Sequence, residues 1–180
     1  MVYGGAWHIG PGGERIGAYP VEDFDSARLG RRCYLCQPAA FVRSEAFAAG
    51  GMLDASLRYA LDYDLWIRLA KQSPFARIGE TLACSRLHPD AKTVAQTAAA
   101  MRETLGVLQR HYGYVPFNWL YGYTHHRLTG QALAVAAPRA KWSSAVYSAA
   151  MGARYNWRHP VRYLNDIAAT AKEGLVWASR

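Results

Sequence analysis

Asp62-Tyr63-Asp64-Leu65-Trp66-Ile67-Arg68-Leu69 places two carboxylates one residue apart where a loop turns into an amphipathic helix. Leu65, Trp66 and Leu69 recur at helical spacing, which predicts a helix packing one face inward. Asp62 falls at its start, where backbone N–H groups lack intrahelical partners and favour an anionic side chain. By itself the pair reads as an N-cap aspartate with a solvated neighbour. The chemical alternative is a carboxylate held at a helix start and turned toward a cleft.

Upstream of this stretch, Gly50-Gly51 closes a short helix expected from Ser44, as its cap, through Ala49, with the glycines supplying positive φ. Gln37-Pro38 breaks the chain before an extended run, Ala39 to Val42, and Tyr19 to Asp25 is a polar connection. Val2 to Ile9 and Glu14 to Tyr19 flank the turn Pro11-Gly12-Gly13 and predict a hairpin. Downstream, Phe75 to Ile78 and Thr81 to Leu87 read as two short strands joined around Gly79. Pro89 then holds His88 extended at a strand end. From Ala91 the pattern is helical, with Val94, Ala98, Met101, Leu105 and Leu108 on one stripe.

Beyond Tyr112 the chain becomes aromatic and basic. Pro116, Pro138 and Pro160 divide it into three expected helices, the last with Val161, Leu164, Ala168, Ala171 and Leu175 on one face. His125-His126 reads as a surface pair. Residues 1–109 carry 12 Lys/Arg against 11 Asp/Glu, whereas residues 110–180 carry 9 against 2, so the net charge of +8 sits mostly in the second part. Hydrophobic residues make up 51% of the 180, enough for a buried core and too many for wholesale disorder. The three cysteines do not form an even disulfide set, which fits a reducing compartment. Met1 to Gly13 lacks the basic start and apolar core of a secretory leader, and no run approaches the roughly 18 apolar residues of a spanning helix.

Three features stand in order: Gln37-Pro38-Ala39-Ala40-Phe41-Val42-Arg43, then Gly50-Gly51-Met52-Leu53-Asp54 leading into Asp62-Tyr63-Asp64-Leu65-Trp66-Ile67-Arg68, then Arg86-Leu87-His88. Their order and spacing over residues 2–112 resemble the acceptor-side, C-terminal half of family 2 glycosyltransferases, inverting enzymes of the GT-A fold. The resemblance implies an α/β fold: residues 1–112 as part of a GT-A-type mixed sheet with flanking helices, and residues 113–180 as a helical basic extension. It implies transfer of a sugar from a nucleotide-sugar donor to a glycan or lipid-linked acceptor hydroxyl, as in cell-surface polysaccharide or glycolipid synthesis.

In that family the base opens the helix, and the likeness maps it onto Asp62 with Asp64 as its support. Gln37, Arg43, Trp66 and Arg86 become substrate-binding expectations. His88 matches a position that helps hold a divalent cation, Mg or Mn, or the diphosphate. Leu61 departs from the family's usual Glu before the base. The family's nucleotide-binding strands and Asp-x-Asp motif lie upstream of the matched segment, so Met1 is expected to fall inside a domain and this chain to be inactive alone. The resemblance also implies a cytoplasmic location, peripheral at the inner face of the plasma membrane, where basic and aromatic helices meet an anionic surface.

Two other readings use different residues. Cys33-x-x-Cys36 with Cys84 and His88 has ligand types for a structural zinc, although Leu35 and Leu87 suit strands better than zinc-binding turns. The basic aromatic region also matches phosphate contact and base stacking in a nucleic-acid-binding module, the less favoured choice beside a membrane. A plain helical appendage packing its aromatics inward is the third.

Overall fold

The computed structural model describes residues 1–88, 95–130 and 138–178, without the side chains of 138 and 173–178. They divide into two compact units, Met1–Thr97 and Ala98–Arg180. The chain is mixed α/β: a small sheet with flanking helices in the first unit, and helices in the second. The expected helical start over Ala91 to Val94 lies outside the described residues.

In the first unit β1 (Val2–Ile9) is the central strand. One edge is shared by β2 (Arg15–Ala18), antiparallel through Trp7↔Ala18, and β3 (Ala40–Phe41), antiparallel through Val2↔Phe41. The other edge pairs in parallel with β4 (Ala76–Arg86). The hairpin of β1 and β2 is the one that Pro11-Gly12-Gly13 predicts, with Gly13 at φ +92°.

Two short strands around Gly79 were the expectation; a single bulged strand is the finding. The register runs Tyr3↔Arg77, Gly5↔Thr81 and Ala6↔Ala83, so β4 carries extra residues opposite Gly4 and Gly5. Gly4 makes room for the bulge: a Cβ there would lie 2.6 Å from the Leu82 side chain and 2.8 Å from the Glu80 carbonyl. The glycine that weakens β1 by propensity is required by the neighbouring strand.

Helix α1 (Ser26–Arg31) is capped by Asp25, whose Oδ1 accepts from the N–H groups of Ala27 and Arg28 at 2.8 and 3.0 Å. Helix α2 (Ser44–Ala49) has Arg43, not Ser44, at its N-cap position, and no side chain caps it. The chain then turns through Gly51 at φ +81° and Met52 at φ +59°. Helix α3 (Leu61–Ala70) buries Tyr63, Leu65, Trp66, Ile67 and Leu69, and its Tyr63 hydroxyl donates to Leu29 O of α1 at 2.6 Å.

The second unit begins with α4 (Thr97–Tyr112), which buries Leu105, Val107 and Leu108 as the stripe predicts. Three helices follow at the three prolines: α5 (Phe117–Thr129), α6 (Pro138–Tyr155) and α7 (Pro160–Ala178). Helix α5 takes its cap from α7: Asp166 Oδ2 accepts from the Phe117 N–H at 2.6 Å and from the Tyr114 hydroxyl at 3.1 Å. The Asn156 amide holds both backbone groups of Val115, each at 2.8 Å. Gly152 of α6 lets Tyr163 and Leu120 close in, where a Cβ would run into the Tyr163 hydroxyl.

His125 corrects the expectation of a surface pair. It is fully buried, with Nδ1 2.9 Å from Ser144 Oγ, because a ring with a polar partner on each nitrogen satisfies itself in a core. No described helix is long and apolar enough to cross a membrane.

Candidate functional site

A cavity of about 480 Å³ opens at the N-terminal end of α3, within the usual size of small-molecule sites. Its walls come from four consecutive pieces of chain. Gln37 lies in a single 3₁₀ turn that Pro38 opens, Phe47 on α2, Leu53, Arg58 and Tyr59 on the following loop, and Asp62 and Trp66 on α3. Apolar walls with a few convergent polar groups are what orient a ligand.

Asp62 is not the helix cap. Ala60 occupies that position, and Asp62 lies one residue inside the first turn. Its Oδ1 accepts from the Tyr63 N–H at 2.7 Å. Among the described residues no Lys or Arg pairs with it. Burial raises its pKa above the usual carboxylate value, and the backbone N–H bonds oppose the rise only in part. Its charge reaches a wall of thiols: burial first, and Asp62 next, push Cys33 up to about 12. Burial and then Asp62 likewise raise Cys36 to about 11. Those surroundings favour protonated thiols, and Cys33, Cys36 and the exposed Cys84 are all free.

Asp64 faces the other way. It is 1% exposed and receives Arg68 Nε at 2.8 Å in an i, i+4 ion pair. Arg68 also donates to Gly50 O through Nη1 and to Met52 O at 2.6 Å through Nη2. Asp64 thus orients the arginine that fastens the Gly50-Gly51-Met52 turn onto α3. The glycines suit that packing: a Cβ on Gly50 would lie 2.8 Å from Leu69 Cδ2, and Gly51 has positive φ. Trp66, buried in the pocket wall, has an indole N–H without a partner among the described residues, a donor left for a ligand or water.

No family model and no curated protein matches this chain.

The geometry therefore carries the assignment of roles. Of the residues singled out by sequence, the cavity gathers Gln37, Asp62 and Trp66. Arg43 is exposed at the start of α2 and does not line it. Arg86 is committed elsewhere, donating to Gly10 O at 3.1 Å and Pro11 O at 2.6 Å, where it braces the hairpin turn. His88 is half-buried at the end of the described segment, outside the cavity lining. Among the described residues there is no group of three or more His, Cys, Asp or Glu side chains placed for a metal ion. Arg58 and Tyr59 escaped the sequence reading. The Arg58 guanidinium lies 5.8 Å from the Tyr59 ring at the cavity, and their place four and three residues before Asp62 is the signal that marks them.

Proposed function

We propose that this cavity is the acceptor site of an inverting glycosyltransferase and that Asp62 is its general base. The observation that carries the proposal is Asp62 itself: a carboxylate without a cationic partner, its proton affinity raised by burial, on the wall of a ligand-sized cavity. The ordered likeness to family 2 glycosyltransferases supports the same assignment. The acceptor hydroxyl donates to Asp62 and its oxygen attacks the anomeric carbon of the donor sugar. As that bond forms, the proton passes to Asp62 and the bond to the nucleoside diphosphate breaks on the opposite face, which inverts the centre. Asp62 then returns its proton to water.

A raised pKa strengthens the base and also protonates it under milder acid, so transfer falls as pH drops through that value. Gln37 and Trp66 offer hydrogen bonds to acceptor hydroxyls, while Phe47 and Leu53 cover the apolar face of a sugar ring. Asp64 acts through Arg68 as a positioning residue.

Asp62→Asn tests the assignment in the complete protein, with nucleoside diphosphate release from a panel of nucleotide-sugars as the readout. Loss of transfer by about 10²- to 10⁴-fold is expected, with circular dichroism unchanged. Near-normal transfer with the fold intact removes Asp62 from the role.

A further inference from the structure

Helix α6 is inverted. Its inner side presents Ser144, Ser148 and Gly152, all buried and spaced four apart, among them the two hydroxyls that meet His125 and Thr124 of α5. Its outer side carries the large apolar groups, Trp142, 75% exposed, then Val146 and Tyr147, with the small exposed Ala150 and Ala153 after them. The pattern continues past the helix end through Trp157, 68% exposed, and through Val161 and Leu164 on the outside of α7. A helix in water alone gains nothing from turning its hydroxyls inward and its tryptophan outward, and exposed apolar groups gathered on one side of α6 mark a contact surface.

The charge pattern selects the occupant. Between residues 138 and 165 the chain has five Lys/Arg (Arg139, Lys141, Arg154, Arg158 and Arg162) and no Asp or Glu. Arg139 and Arg154 are exposed near the two ends of α6, and the Arg158 guanidinium lies 4.9 Å from the Trp157 ring. A second copy of the same face would set like charges together. Single-stranded nucleic acid uses arginine and aromatic rings but has no use for Val146, Val161 and Leu164. Aliphatic groups at the acyl boundary, Trp and Tyr at headgroup level and arginines on lipid phosphates account for all three residue types together.

We propose that the outer face of α6 and the turn after it dock on an anionic phospholipid surface. Trp142, Tyr147 and Trp157 enter the headgroup layer, and Arg139, Arg154 and Arg158 meet lipid phosphates.

The test is co-sedimentation of the full chain with phosphatidylcholine vesicles, with and without phosphatidylglycerol. Binding is expected only with phosphatidylglycerol and weakens as salt rises. The exposed pair Trp142→Ser with Trp157→Ser lowers affinity at least about tenfold. Arg139→Gln with Arg154→Gln lowers it by roughly fivefold per residue. Equal binding to neutral vesicles, or tryptophan variants that bind as the parent does, overturns the proposal. So does a dimer in sedimentation velocity that Trp142→Ser dissolves in a chain indifferent to vesicles. Tryptophan-dependent binding to poly(U) without vesicle binding overturns it in favour of nucleic acid.

Discussion

Helices α3 and α7 both carry an apolar stripe at helical spacing, and the chain uses the two in opposite senses. In α3 the stripe goes inward: Leu65, Trp66, Ile67 and Leu69 are buried and the helix start is left to frame a cavity. In α7 the stripe of Val161, Leu164, Ala168 and Ala171 faces out, while Tyr163 and Asp166 are buried. Periodicity announces that a helix has an apolar side; what that side meets is decided by the groups opposite it. Tyr163 donates to Ser148 O at 2.8 Å and Asp166 caps α5, so the polar side of α7 is the one with partners in the unit.

The sharpest way to break this contrast is a pair of truncations. Ile67→Ala, at a fully buried position, costs about 4 kcal/mol in urea unfolding, while Leu164→Ala, at an exposed one, stays within about 0.5 kcal/mol. Comparable losses at the two positions would mean that α7 packs its stripe after all.

Asp64→Ala comes next. It leaves Arg68 without its carboxylate in a partly buried site, at an expected cost of about 3 kcal/mol by the same measurement. A change near zero would show that the Gly50-Gly51-Met52 turn holds without the pair.

Asp62→Asn has a smaller effect on stability than Asp64→Ala, and its sign is opposite. Burial raises the Asp62 pKa above its ordinary 3.8, so the folded chain binds that proton more tightly than the unfolded chain. The resulting stabilisation is fully present below 3.8 and is lost as pH rises through the folded value. The Asn variant is therefore expected to melt above the parent at pH 7, with the difference shrinking as pH falls toward 3.8. A lower melting temperature at pH 7 would mean that the charged form is the one the fold prefers. Together with the expected loss of transfer, the gain would mark a site where function and stability pull apart.

Much of the first unit was legible because local chemistry and tertiary context agree there. Pro11-Gly12-Gly13 makes a hairpin between flanking strands, and the α3 stripe packs as its spacing says. Helix α1 was missed: it is six residues long, buries only Leu29 and Gly30, and starts from Asp25 in a run of acidic residues that reads as a loop. The strand β4 read as two because Gly79 looks like a turn, while the residue that allows a continuous bulged strand, Gly4, is far away in sequence. The candidate site followed the same division. Gln37, Asp62 and Trp66 belong to local motifs and arrive at one cavity, whereas Arg86 was drawn to the Gly10 and Pro11 carbonyls by a pairing between distant strands. In α6 the small residues at 144, 148 and 152 carry no hydrophobic signal, so nothing in composition reveals them as the buried side.

Arg68 has one more consequence. Its three donations, to Asp64, Gly50 and Met52, join the helix that carries Asp62 and Trp66 to the turn lying between Phe47 and Leu53. Two walls of the cavity are thereby tied to each other through one guanidinium. A second tie, from Gln72 Nε2 to Ala49 O at 3.3 Å, joins the chain just past the same helix to the end of α2, so the span of the cavity is held by side-chain donations to backbone carbonyls as well as by packing.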